Sequence, residues 1–236
     1  MVNNWLKNNQ QLNISTLSKL FFKQKCLLCG AKADSEISLC LDCLDYLPRA
    51  PKPSCPQCGL KTRGEICGNC LRHQPYYDYT YALFSYAYPV DAILQHYKYK
   101  NALYLSQTLG RLLQEKIVDF DIDAIIPMPL HPNRIKQRGF NQSLEVAKVI
   151  TKQLNIKLDV TSCTRIKNTP PQASLTVKER IKNMQGAFDC QATFTNQHIA
   201  LIDDVMTTGA SLNALAKTLK KAGAVKVSCY VLARTG

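Results

Sequence analysis

The sequence predicts an open, mostly parallel α/β sheet with helices on both faces, preceded by a small cysteine-rich module. Three observations predict it. Eight of the 11 cysteines fall between residues 26 and 70 as four C-x-x-C pairs. Beyond Pro75, short apolar runs alternate with amphipathic segments, the order of a parallel sheet with crossover helices. No apolar run approaches the roughly 20 residues needed to span a bilayer. With 236 residues, 46% hydrophobic and 20% charged, the chain has the make-up of a globular protein with a real core.

Residues 1–25 read as an N-terminal helical extension, 26–75 as the cysteine-rich module and 76–236 as the sheet domain. In the extension, 12–22 have the spacing of a short amphipathic helix, anchored by Trp5 and by Phe21 or Phe22. Asn, Gln and Lys interrupt this segment too often for a secretory signal, so a cytoplasmic protein without membrane insertion is expected.

In the sheet domain, 79–88 (YTYALFSYAY) form an aromatic, alternating strand. Residues 89–118 are helical with a break near Asn101, 123–128 a buried strand and 139–154 a helix. HIALIDD (198–204) is a second buried strand, 211–223 a helix ending at Gly223, and 225–233 the final strand. Ligands of such a sheet bind beyond the carboxyl ends of its strands. The scattered Cys163, Cys190 and Cys229 read as small buried hydrophobes.

Each C-x-x-C is a knuckle that aims two thiolates at one ion, and two knuckles complete a tetrahedral zinc site. Sequential pairing is preferred, with Cys26, Cys29, Cys40 and Cys43 on one zinc and Cys55, Cys58, Cys67 and Cys70 on a second; cross-braced pairing is the alternative. A disulfide framework would need an oxidising compartment. A redox-active C-x-x-C occurs once beside a strand–helix unit, not four times in an apolar-poor segment. One structural zinc contributes about 10–16 kcal/mol to folding, which offsets the shortage of apolar side chains in 26–70. With eight thiolates and no place for water, both sites are closed and structural.

Thirty Lys and Arg against 17 Asp and Glu give a formal charge of +13. Eight thiolates on two zinc ions reduce it to about +9. That excess raises the local concentration of polyanions and points to nucleic acid, phosphorylated ligands or acidic membranes as partners.

The run 200–211 (ALIDDVMTTGAS) leads from an apolar strand through two carboxylates into a small-residue turn and a helix. Thr207, Thr208 and Ser211 offer hydroxyls, Gly209 and Ala210 let backbone N–H groups approach closely, and the helix N-terminus adds a positive dipole end. A dianionic phosphate fits there. Asp203 and Asp204 would repel it, so they face another part of the ligand, and a sugar diol that donates two hydrogen bonds answers that need. The candidate binding segment is therefore Asp203 to Ser211, with Val205 and Met206 inside it.

Two apolar residues, two Asp, three further residues, Thr-Gly and a small hydroxyl residue resemble the PRPP-binding motif of type I phosphoribosyltransferases. Four knuckles followed by Tyr97-Lys98-Tyr99, Pro127-Met128-Pro129-Leu130, Arg134 and Arg138-Gly139-Phe140-Asn141-Gln142 resemble the ComF family of competence proteins, over residues 26–233. The resemblance implies a type I phosphoribosyltransferase-like domain, with Asp203 and Asp204 on the ribose hydroxyls and Thr207 to Ser211 on the 5′-phosphate of PRPP. It sets the pyrophosphate, with magnesium, in the segment after Ile126, where Pro127, Met128, Pro129 and Arg134 are candidates. Lys136 and Arg138 add cations suited to a doubly charged leaving group. Residues 165–183 resemble a hood that closes over PRPP, with Arg165, Gln172 and Arg180 as further candidates.

The resemblance also implies binding or handling of incoming single-stranded DNA in natural transformation, with competence-machinery proteins as possible partners. Lys98, Lys100 and Arg138 are candidate DNA contacts. Tyr97 to Lys100 reads either as an amphipathic helix end or as an aromatic, basic surface on which bases stack. The alternative function is active phosphoribosyl transfer, in which an unidentified acceptor displaces pyrophosphate at ribose C1. No base pocket or general base is evident, and catalytic residues stay unassigned.

Overall fold

The computed structural model describes residues 25–33, 37–99, 102–117, 121–168 and 177–236, with the backbone alone at Val177, Lys178, Arg180 and Ile181. The expected helix at 12–22, Lys100 and Gln172 lie outside the described residues. The chain divides into two compact units between Tyr46 and Leu47.

In the first unit the knuckle Cys26–Cys29 is a hairpin. The Cys26 N–H donates to Ala31 O (2.6 Å) and the Gly30 N–H to Cys26 O (2.9 Å), with an antiparallel bridge from Lys25 to Lys32. The second knuckle opens helix α1 (Leu41–Tyr46), which carries Cys43. The second unit repeats this pattern. The Cys55 N–H donates to Leu60 O (2.7 Å), the Gly59 N–H to Cys55 O (2.9 Å), Ser54 bridges Lys61, and Cys67 precedes helix α2 (Gly68–Arg72), which carries Cys70. The second ribbon, however, joins a larger core. Cys55, Cys58 and Cys70 are buried in one cluster with Tyr77, Ala82, Met206, Leu212 and Val231. The change in composition after Pro75 is therefore not where the packing divides.

The rest of the second unit runs β1 (Tyr79–Ser85), α3 (Val90–Tyr99), α4 (Leu105–Gln114), β2 (Ala124–Pro127), α5 (Pro132–Arg138), α6 (Gln142–Leu154), β3 (Lys157–Leu158), β4 (Cys163–Arg165), α7 (Val177–Met184), β5 (Phe188–Cys190), β6 (His198–Met206), α8 (Ala210–Lys221) and β7 (Lys226–Arg234). Five strands form a parallel sheet in the order β1-β7-β6-β2-β3, while β4 and β5 pair antiparallel in a separate ribbon. β6 and β7 are buried over most of their length, as strands covered on both faces must be. Leu212, Leu215 and Leu219 of α8 share a core with Ile199, Leu201, Val227 and Val231. α6, backed by α4, packs on β2, β3 and β6. A Cβ on Gly110 would lie 2.7 Å from Val149 Cβ, so glycine lets α4 and α6 close together.

The helices expected at 89–118 are α3 and α4, and the break expected at Asn101 lies outside the described residues. The helix expected from residue 139 starts instead at Gln142, because Asn141 caps it: its Oδ1 accepts the N–H groups of Ser143 (3.0 Å) and Leu144 (3.4 Å). Before it lies α5, which the sequence reading missed. Pro132 stands in its first turn, His131 Nδ1 accepts the Asn133 N–H (3.2 Å), and Gly139 ends it.

From β2 the chain moves to β3 on one side, and from β6 to β7 on the other. The switch point, where an α/β sheet presents its ligand crevice, therefore lies beyond the carboxyl ends of β2 and β6.

Candidate functional site

At that switch point β6 delivers Asp203 and Asp204, and a three-residue turn, Thr207 to Gly209, leads into α8. Gly209 has φ +76°, and a Cβ there would lie 2.7 Å from Met206 Cε and 2.9 Å from Tyr77 Oη, so the turn requires glycine. Thr208 Oγ1 accepts the Ala210 N–H (3.3 Å). Val205, Thr207, Thr208, Ala210 and Ser211 are half-buried, whereas Met206 turns its side chain into the core and contributes fold, not surface. Ser211 Oγ lies 3.5 Å from Met184 Sδ, which brings the end of α7 to the first turn of α8.

The acids are held individually. Asp203 Oδ1 accepts from Ser143 Oγ (3.1 Å) and from the Asp204 N–H (2.9 Å). Asp204 Oδ1 accepts the Val205 N–H (2.6 Å) and pairs with Lys98 Nζ at 3.0 Å. Burial first, then the neighbouring Asp204, pushes the Asp203 carboxyl up to about 7. Burial would lower the Lys98 ammonium, but Asp204 and, after it, Asp203 hold it above its ordinary value. Lys98 thus belongs to the acid end of the crevice and not to an outward DNA-facing surface, because the helical turn that buries Tyr97 against Gln142 O (2.9 Å) swings Lys98 inward.

Arg134 and Arg138 come from α5 and Arg165 from the end of β4, all half-buried. Arg138 Nη1 donates to Gln142 Oε1 (3.1 Å), and its guanidinium lies 5.4 Å from the Tyr99 ring centroid. Burial and then Arg138 lower the Arg134 guanidinium; burial and then Arg134 lower that of Arg165, with Asp203 acting in the opposite sense. Arg134, Arg138 and Arg165 therefore lie near enough to one another to feel mutual repulsion, which a bound anion would relieve. Lys136 is exposed. Met128 offers no amide to a ligand: its N–H donates to Ile202 O (2.8 Å) and its carbonyl accepts from Asn141 Nδ2 (3.0 Å). With Pro129 lacking an N–H, this stretch can bind anions only through the side chains that follow it.

Both cysteine quartets assemble sequentially. The sulfurs of Cys26, Cys29, Cys40 and Cys43, and those of Cys55, Cys58, Cys67 and Cys70, lie within 4.8 Å of one another in each set. Cys29 to Cys40 and Cys58 to Cys67 are each 3.6 Å, close to the edge of about 3.8 Å in a tetrahedron with 2.3 Å zinc–sulfur bonds. The Cys67 N–H donates to Cys55 Sγ (3.4 Å). Burial raises the Cys55 thiol, but the amides of Cys67 and Cys58 bring it down to about 7, in favour of the thiolate that metal binding needs. The ligand set, spacing and closure are those of two structural zinc centres.

Residues 17–71 match a double zinc ribbon domain and residues 141–236 a phosphoribosyl transferase domain. Competence protein F of Haemophilus influenzae is 32% identical over 231 residues, which cover 91% of this chain and 98% of that protein. The chain belongs to the ComF family. Another similar protein, DNA utilization protein YhgH of Escherichia coli O6:H1, is 31% identical over 79% of this chain and 86% of its own. A purine phosphoribosyltransferase structure from Pyrococcus horikoshii aligns over 53% of this chain and 70% of its own, at 20% identity and a TM-score of 0.35. The parallel sheet and the carboxyl-terminal match make the larger domain of this ComF chain phosphoribosyltransferase-like.

Sequence reasoning missed two residues of this ComF site: Ser143, which holds Asp203, and Arg234, whose guanidinium reaches the Met206 carbonyl. Arg234 had a legible signal, as a lone guanidinium at the end of a mostly apolar strand, and Ser143 had none. Asn141 stood in the family motif, but its hold on the Met128 carbonyl did not show there. Of Arg180 only the backbone, on α7, is described.

Proposed function

We propose that the crevice beyond β2 and β6 binds PRPP, and that the protein handles single-stranded DNA in natural transformation. The observation that carries this reading is the juxtaposition of Asp203, Asp204 and the turn to Ser211 with Arg134, Arg138 and Arg165. The turn takes the 5′-phosphate, the two acids take the ribose hydroxyls, and the arginines take the pyrophosphate with its magnesium. Lys98 neutralises Asp204 until the hydroxyls replace it.

The relatives' names, Competence protein F and DNA utilization protein, direct the reading to DNA. A basic chain supports it, as does Tyr99, 67% exposed with Arg138 over its ring, an arrangement on which bases stack. Among the described residues no helix is long and apolar enough to cross a membrane. A cytoplasmic setting, with competence-machinery proteins as partners, completes the proposal.

Calorimetry with magnesium and PRPP tests the pocket: one site per chain is expected in the wild type and none in Asp204→Ala, and equal heats would remove the reading. For DNA, log affinity against log salt should fall with a slope of about 0.7 per phosphate contacted. Tyr99→Ala should weaken binding and Arg138→Glu should flatten the slope; a slope near zero in the wild type refutes DNA binding.

A second reading has one observation in its favour. A carboxyl at about 7 is suited to take a proton near neutrality, so Asp203 can serve as general base while an acceptor attacks ribose C1 and the bond to pyrophosphate breaks. Pyrophosphate released faster with an acceptor than without one would establish it.

A further inference from the structure

Arg234 ends β7 and is only 8% exposed, yet its guanidinium reaches two separate sites. Nε donates to Cys58 O at 3.0 Å, on a knuckle of the second ribbon. Nη1 lies within hydrogen-bond reach of the carbonyls of Met206 (3.2 Å) and Thr207, from which the phosphate turn departs, and of Thr235 O (2.6 Å) and Oγ1 (3.3 Å). Every one of these acceptors is a neutral oxygen.

Cys58 is a ligand of the second centre, so the carbonyl that Nε reaches sits on a knuckle that zinc would fix and whose release would loosen it. Tyr77 makes a second mechanical link. It is 4% exposed, lies in the same core cluster as Cys55, Cys58 and Cys70, and brings its hydroxyl against Gly209 in the turn.

We propose that Arg234 is a positioning residue that couples the second zinc centre to the phosphate turn. Zinc on Cys55, Cys58, Cys67 and Cys70 fixes the Cys58 carbonyl that receives Nε, and the guanidinium in turn fixes the carbonyls of Met206 and Thr207 and so sets the amides from Thr208 to Ser211. Zinc in the first ribbon is the internal comparison.

The test uses the full-length, zinc-loaded chain without PRPP, so its outcome is independent of whether PRPP binds. Zinc release to 4-(2-pyridylazo)resorcinol is followed in time, cysteine alkylation with peptide mass spectrometry assigns each ion, and hydrogen exchange is read at 206–211. Arg234→Met should release zinc from Cys55–Cys70 about 10–100-fold faster, the usual cost of losing a partner beyond the ligands, leave the first ribbon's zinc unchanged and accelerate exchange at 206–211. Arg234→Lys offers one ammonium in place of the fork and cannot hold the Cys58 and Met206 carbonyls together, so the turn should still exchange fast. In the wild type, extraction of the second zinc should by itself raise exchange at 206–211. Wild-type release rates in Arg234→Met, or a turn whose exchange ignores loss of the second zinc, would overturn the coupling. Should Arg234→Met fail to fold, Arg234→Lys and the extracted wild type still decide the matter.

Discussion

Lys98 Nζ and Asp204 Oδ1 stand 3.0 Å apart, joining the last turn of α3 to the end of β6, with both side chains less than a fifth exposed. This ion pair sets the electrostatics of the acid end, because Lys98 opposes and Asp204 reinforces the upward displacement of Asp203.

Opposite effects are therefore expected from the two partners. Lys98→Met should raise the protonation midpoint of Asp203 above about 7, and Asp204→Asn should lower it. Carboxyl carbon chemical shifts followed through a pH titration read both. Displacement in the same direction for the two variants would mean that charge does not govern this carboxyl.

The same carboxyl makes stability depend on pH. With a folded midpoint of about 7 against an ordinary 3.8, it binds more protons folded than unfolded between those values. Its contribution is complete below about pH 4 and is lost as pH rises through about 7. Urea midpoints should thus decline between pH 5 and pH 8 more steeply in the wild type than in Asp203→Asn; parallel profiles would contradict the assignment.

The arginines and the turn should separate by ligand. Arg134→Ala or Arg165→Ala should weaken PRPP by about tenfold or more, the worth of one charge-assisted hydrogen bond, while leaving ribose 5-phosphate within about twofold. Equal losses for both ligands would move these side chains off the pyrophosphate.

Gly209→Ala combines a positive φ with contacts of 2.7 Å to Met206 Cε and 2.9 Å to Tyr77 Oη. A loss of about 1–3 kcal/mol in denaturant unfolding is expected, with Gly209→Asn milder because Asn tolerates the left-handed region. Equal stability in Gly209→Ala would show that the turn relaxes freely.

The knuckles and the run from β6 into α8 were legible because their chemistry is local: paired cysteines, and carboxylates followed by small hydroxyl residues. What sequence reading missed is tertiary. α5 is seven residues long, too short for periodicity to reveal, so the pattern assigns no helix to 129–138. Lys98 pairs with Asp204 from a distant part of the chain, which no local pattern announces. The strands β3, β4 and β5 have two or three residues each, below the length at which alternation shows.

The burial of Cys55, Cys58 and Cys70 beside Tyr77 and Ala82 has a practical consequence for anyone trimming the chain. A fragment begun at Tyr76 would strip the cladding from one wall of the sheet domain, leave raw greasy side chains facing water, and clump during expression. A fragment begun at Leu47 would carry that cladding with it and stay in solution.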